Sequence, residues 1–321
     1  MKISALRLVA LLFCALFMRA ACCAFPDHPV RLVIPSGAGG VTDTLARALA
    51  QQMGTDLGQQ IYIDNRPGAS GIIGSEAVAT SPADGYTLLM VFPSHAVNPS
   101  LFRSLPYDTV KSFAPVSLVS NVSMVLVVNK DFAGNSVKDL IDAARAHPGQ
   151  LNFGSVGAGS LGHLGAELFC SMAGVKMVHI AYKGSPQVLS GVFGGEVNMY
   201  LVASASSVVP HIQSGRIKAL GVSGNKRLLI LPEVPTIGET LRGYDVSGWN
   251  GILAPAGTPK PVVDTLQKAI AKVVRSADFT RRLTAEGAVG VGSTPEEMDG
   301  VLRADVAKWA AVVKAAGIKA E

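Results

Sequence analysis

The chain has 321 residues, with 28 Lys or Arg against 23 Asp or Glu, 49% hydrophobic residues, 16% charged residues and 34 Gly. That length suits one large or two medium domains whose core needs no disulfide staples, and the low charge beside a full apolar share excludes disorder, a coiled coil and a charged scaffold. The surplus of five positive charges would point to nucleic acid or an anionic membrane only if it sat on the folded part.

It does not sit there. Lys2 and Arg7, the apolar run Leu8 to Met18 and the small residues Cys22-Cys23-Ala24 read as an export signal over 1–24, cleaved near Ala24 into the periplasm. The apolar run is too short for a permanent span, which needs about 20 residues. Arg19 stands where a lipoprotein signal would carry an aliphatic residue, so a lipid anchor on Cys22 is the lesser reading. Cleavage removes three basic residues and no acid, leaving 25 against 23. Nucleic acid is therefore not an expected partner. Cleavage also removes Cys14, Cys22 and Cys23, and the remaining Cys170, between Phe169 and Ser171, reads as a buried small hydrophobe.

After the signal, short apolar runs alternate with helix-period segments. The expected strands are Val30 to Ile34, Gln60 to Asp64, Tyr86 to Val91, Met124 to Val128, Leu151 to Gly154, Met177 to Ala181, Val197 to Val202 and Ile217 to Val222. A helix is expected from Thr42 to Met53, where Leu45, Leu49 and Met53 recur every four residues. Two more are expected from Pro259 to Ser276 and from Pro295 to Ala316, the last with a Met298, Leu302, Val306, Trp309, Val313 stripe. Strand-helix repetition implies an α/β fold with two mostly parallel sheets flanked by helices. The lobes are expected at 25–120 plus 249–321 and at 121–248, with the chain crossing at Ala114 to Val119 and Ser247 to Ala254 around a ligand cleft.

Two glycine-rich loops lead from strand to helix. In Pro35-Ser36-Gly37-Ala38-Gly39-Gly40-Val41-Thr42-Asp43, free N–H groups at a helix start suit an anion, and Thr42 or Asp43 is the expected N-cap. No Gly-Lys-Ser/Thr follows, so it is not a P-loop. In Gly154-Ser155-Val156-Gly157-Ala158-Gly159-Ser160-Leu161-Gly162-His163 the glycines formally satisfy G-x-G-x-x-G, but the next strand ends in Ala181-Tyr182-Lys183-Gly184 without the ribose-binding acid, so no dinucleotide is expected. Ala158 to Gly162 also approximates a nucleophile elbow, which makes a secreted serine hydrolase on Ser160, served by His211 and Glu196, the competing function. The loop hydroxyls of Ser36, Thr42, Ser155 and Ser160 suit a carboxylate, with Lys183 the one cation beside any of these loops. Ser94 and His95 after the third strand, Tyr182 and Lys183 after the sixth and Ser204 after the seventh also lie at strand C-termini, where open α/β sheets place ligands. No metal-ligand spacing, catalytic acid pair or cofactor motif stands out.

The motifs in series resemble the Bug-type, or TctC-like, extracytoplasmic receptors of tripartite tricarboxylate transporters. They are Pro29 to Pro35 with Gly39-Gly40-Val41-Thr42-Asp43 and Ala46-Arg47, Asn65-Arg66-Pro67-Gly68-Ala69-Ser70-Gly71, Asp84 to Leu89, the second glycine loop, Tyr182-Lys183-Gly184, Leu231 to Thr236, Trp249-Asn250-Gly251 and Ala254 to Pro259. The resemblance implies a two-lobed periplasmic binding protein of the type II-like, Venus-flytrap kind, a monomer without catalysis or cofactor that closes on a small organic acid. It maps ligand contacts onto Ser36, Gly37, Ala38, Gly39, Thr42 and Asp43 and onto Ser155, Gly159, Ser160 and His163, and it suggests membrane transporter subunits or a sensor as partners. Ser36-Gly37-Ala38 departs from bulkier Phe/Pro-rich residues usual in the family, and Asn198 stands where an Asp is usual.

Overall fold

The computed structural model describes residues 25–39 and 41–318. The expected signal at 1–24, with its three cysteines, lies outside them. The chain runs through β1 (Val30–Ile34), α1 (Val41–Leu57), β2 (Ile61–Asn65), α2 (Ile72–Ala79), β3 (Thr87–Val91), α3 (Ser94–Leu101) and β4 (Phe113–Ser123). It continues through β5 (Val125–Asn129), α4 (Val137–Ala146), β6 (Asn152–Ser155), α5 (Leu161–Ala173), β7 (Val178–Ala181), α6 (Ser185–Gly194), β8 (Met199–Val202), α7 (Val209–Gln213), β9 (Ile217–Val222) and α8 (Ile237–Thr240). The last part is β10 (Ser247–Pro255), α9 (Lys260–Val274), α10 (Ala277–Ala285), β11 (Ala288–Gly290) and α11 (Pro295–Ala316).

The strands form two sheets, ordered β11-β4-β10-β3-β1-β2 and β7-β6-β8-β5-β9. The expected strand-helix repeats are present, but both sheets are mixed rather than mostly parallel. β1 is parallel to β2 and β3, whereas β10 is antiparallel to both β3 and β4; in the second sheet β5 is antiparallel to β8 and β9. The strands entering and leaving each sheet cause this, because they run between sheets instead of closing a βαβ unit. The segments expected as crossings, 114–119 and 247–254, lie inside β4 and β10, which pair with each other from Ser123/Ser247 to Phe113/Pro255. The chain leaves the first sheet after Ser123 and rejoins it at Ser247.

Helix packing follows the apolar periodicity. Leu45, Ala46, Leu49, Ala50 and Met53 of α1 are all buried, within a core that includes Leu32 and Ile34 of β1. The stripe of α11 behaves likewise: Met298, Leu302, Trp309 and Val313 are buried and Val306 is partly buried. These residues join one core that includes Leu89 and Val91 of the first sheet and Leu126 and Phe153 of the second. The Trp249 indole of β10 donates to Asp305 Oδ2 of α11 at 2.6 Å. The helix lies close to the strand here: a Cβ at Gly251 would lie 2.5 Å from the Met298 methyl, so a side chain there would displace Met298. Cys170 is buried, with its thiol pushed up to about 12 by desolvation.

Candidate functional site

The first glycine loop leaves the C-terminal end of β1, with Ser36 half-buried and Gly37, Ala38 and Gly39 exposed. Neither expected cap residue lies ahead of the helix, since α1 begins at Val41 and so contains Thr42 and Asp43. Asp43 faces back into its own loop. Its carboxylate accepts from the Gly39 N–H at 2.9 Å, from Arg47 Nε at 2.9 Å and from Asn65 Nδ2 at 3.0 Å. The Arg47 hydrogen bond, with those from Gly39 and Asn65, outweighs burial and holds this carboxyl down at about 2. Asn65 also donates to Ser36 O at 3.2 Å and accepts from Arg47 at 3.1 Å. A buried carboxylate saturated in this way holds the loop in shape and would repel an anionic ligand, so the geometry gives Asp43 a positioning role. Thr42 donates to Asn250 Oδ1 of β10 at 3.4 Å, and Asn250 donates to Ser120 Oγ of β4 at 3.2 Å.

The second loop leaves β6 and is held just as tightly. Ser160 is the N-cap of α5, its hydroxyl accepting from the His163 N–H at 3.4 Å and donating to Gly157 O at 2.8 Å. Ser155 Oγ lies 3.0 Å from Gly157 O, 3.1 Å from Gly157 N and 2.7 Å from His179 Nε2. The Gly159 N–H donates to His163 Nδ1 at 3.0 Å, which fixes the hydrogen of a neutral His163 on Nε2, 3.6 Å from Glu167 Oε1. His163 stacks on His179 at 3.8 Å between ring centroids, and desolvation, with His163 adding to it, lowers His179 to about 4. The N–H groups of Gly157 and Gly159 are therefore spent inside the loop. The first-turn N–H groups of Leu161 and Gly162 have no intrahelical acceptor.

The second loop touches the first sheet's layer: a Cβ at Gly159, whose φ is 73°, would lie 2.5 Å from Leu101 Cδ1 of α3, and one at Gly248 of β10 would lie 3.1 Å from Leu161 Cδ2. The remaining expected contacts are dispersed. Ser94 is half-buried at the start of α3, and Lys183 is exposed. Tyr182 folds over α6, where a Cβ at Gly191 would lie 2.9 Å from its hydroxyl. Ser204 and Ser206 donate to Glu286 Oε2 at 2.7 and 3.0 Å, tying the end of β8 to the turn after α10. His95 is buried, with Nδ1 3.3 Å from Ser75 Oγ and Nε2 3.1 Å from Thr109 O, and burial lowers it to about 4. Asn198 and Asn152 pair reciprocally, each backbone N–H donating to the other's side-chain Oδ1 at 2.9 Å, so the Asn198 side chain serves here as an acceptor.

The triad required by the hydrolase reading is not assembled. Ser160 is bonded within its own loop, while His211 packs on Phe193 of α6 at 4.8 Å. Among the described residues no His, Cys, Asp and Glu group has metal-binding geometry, and no helix is long and apolar enough to cross a membrane. Asn65 and Arg47 hold the first loop, Asn250 meets Thr42 and His179 holds the second loop; none was a candidate site residue, although Asn65, Arg47 and Asn250 lie in motifs that carry the family resemblance, while His179 carries no local signal.

Residues 45–318 match the model of the tripartite tricarboxylate transporter family receptor, TctC. The protein BugT of Bordetella pertussis is 36% identical over 300 residues, covering 92% of this chain and 91% of its own. Among solved structures, a Rhodopseudomonas palustris protein solved with adipate is 37% identical with TM-score 0.79, covering 92% of this chain and 100% of its own. The periplasmic binding protein BugD is 33% identical with TM-score 0.76, covering 92% of this chain and 100% of its own. MatC of Rhodopseudomonas palustris, solved with malate, is 30% identical with TM-score 0.75, covering 90% of this chain and 100% of its own. With two α/β sheets, two helix-initiating glycine loops and matches over nearly the whole described length, this chain belongs to the TctC family of solute-binding receptors.

Proposed function

We propose that the protein captures a small organic acid between its two lobes, 25–120 with 249–321 and 121–248, in the periplasm, and hands it to membrane transporter subunits or reports it to a sensor. It acts as a monomer without catalysis. One observation carries the reading: two glycine loops at the C-terminal ends of β1 and β6, each opening a helix, belong to different sheets, and the second abuts α3 of the first. A ligand carboxylate takes the Leu161 and Gly162 N–H groups and the hydroxyls of Ser36 and of Ser160, the latter turning its hydrogen from Gly157 O to the ligand, with Gly37 to Gly39 and Thr42 closing from the other side. Hydrogen bonds to a charged group contribute about 1.5–3 kcal/mol each, so four of them, less ordering costs, suffice for the roughly 8 kcal/mol of micromolar binding without a buried Arg. The relatives solved with adipate and malate support a di- or hydroxy-acid.

Calorimetry on ligand-stripped protein with succinate, malate, glutarate, adipate, citrate and their monoacid counterparts tests this. Binding of at least one acid with micromolar affinity or better is expected. Heat-silent titrations throughout, with no shift in melting temperature, would refute the reading.

A further inference from the structure

The turn Ala69–Gly71, between β2 and α2, carries two consecutive L-residues in the left-handed region, Ala69 at φ 46° and Ser70 at φ 54°. Glycines flank them on both sides, Gly68 at φ 128° and Gly71 at φ 89°, so the chain uses glycine here where conformation demands it and yet keeps a side chain at Ser70. Backbone strain of this kind persists where surrounding contacts over-determine it. Those contacts are present. The Asn98 amide, 1% exposed, donates to Ser70 O at 3.1 Å. A Cβ at Gly71 would lie 3.2 Å from Pro35 Cβ, which seats the turn against the start of the first glycine loop. Asn98 shares α3 with Leu101, the residue that meets Gly159 of the second loop. Ser70 itself is exposed, and among the described residues its hydroxyl has no intramolecular hydrogen bond.

We propose that Ser70 determines specificity by hydrogen-bonding a second polar group of the ligand, a distal carboxylate or hydroxyl, so that the protein selects difunctional over monofunctional acids. The proposal rests on the capture reading above and extends it to a third loop. The strained turn fixes the direction of the Cα–Cβ bond, and Asn98 holds that turn when the site is empty. An uncharged hydroxyl then rewards an acceptor without demanding full charge neutralisation. The nearest cation in the motif, Arg66, is already paired with Asp64 at 2.8 Å.

The test is calorimetry on matched pairs, adipate with hexanoate and malate with butyrate, using wild type, Ser70→Gly and Ser70→Ala. Wild type is expected to bind at least one diacid about tenfold or more tightly than its monoacid partner, the effect of one charge-assisted hydrogen bond. Ser70→Gly is expected to abolish most of that ratio by weakening the diacid alone, with a melting temperature no lower than wild type because glycine relaxes the turn. Ser70→Ala should show the same loss of ratio. An unchanged ratio in both variants, an equal loss for diacid and monoacid, or a wild type that binds the pair equally overturns the role of Ser70 while leaving capture intact. A wild type that binds none of these acids nor any in the wider panel overturns both readings.

Discussion

At the residue scale, acid should weaken this protein through groups that burial keeps neutral or hydrogen bonds keep charged. His95 and His179 are lowered from 6.5 to about 4, so between those values the unfolded chain binds more protons than the folded one. Stability is expected to be full above pH 6.5 and to fall as pH drops toward 4, with a further loss below 3.8 as Asp43 protonates toward its folded value of about 2. Thermal melts across that range check this, and His95→Gln should flatten the upper part of the decline. Groups facing the His179 ring include His163, Glu167 and Phe153, of which only Glu167 favours the charged form. Ser155→Ala removes the group bridging Gly157 and His179 and should weaken binding of the tightest acid by about 1–3 kcal/mol. Asp43→Asn, which leaves Arg47 without its ionic partner and sets an amide donor against the Asn65 amide if its oxygen stays on Gly39 and Arg47, should lower stability by about 1–3 kcal/mol by urea denaturation.

At the scale of elements, the tie between the end of β8 and the turn after α10 joins the two sheets through a single carboxylate. Glu286 accepts from both Ser204 and Ser206, and the neighbouring Gly287 carbonyl accepts from the Ser123 N–H at 3.4 Å, at the end of β4. The contact sits beside the passage from one sheet to the other, where relative movement must be absorbed. Glu286→Ala is expected to lower stability by about 1–2 kcal/mol, the net of hydrogen bonds to a partly solvated charge. It should also make the empty protein more extended by small-angle scattering. A variant with wild-type dimensions and stability would show that the tie restrains nothing.

At the scale of the molecule, α11 makes the two halves of the core one unit. Trp309 is fully buried in a cluster that contains residues of both sheets, so its loss is felt on both sides. Trp309→Ala should destabilise by about 3–5 kcal/mol. Wild-type unfolding in urea should be a single transition followed equally by far-ultraviolet dichroism and by tryptophan fluorescence. Two separated transitions in the wild type would show that the lobes fold independently despite the shared helix.

Periodicity and turn chemistry determined much by themselves. The eight short strands, the amphipathic α1, α9 and α11, and the placement of both glycine loops at helix starts follow from local patterns, because apolar spacing reports one face of one element. The antiparallel course of β4, β10 and β5 was not legible, since a buried strand reads the same whichever way its neighbours run. The loop residues show the same division. Gly39, Ser160 and His163 announced a polar helix start, but only tertiary structure decided that Asp43 answers Arg47 and Asn65, that His163 takes the Gly159 N–H, and that Ser204 meets Glu286. Sequence distributes hydrogen-bonding capacity along the chain; which groups satisfy one another, and which remain free for a ligand, depends on segments brought together from as far apart as Thr42 and Asn250.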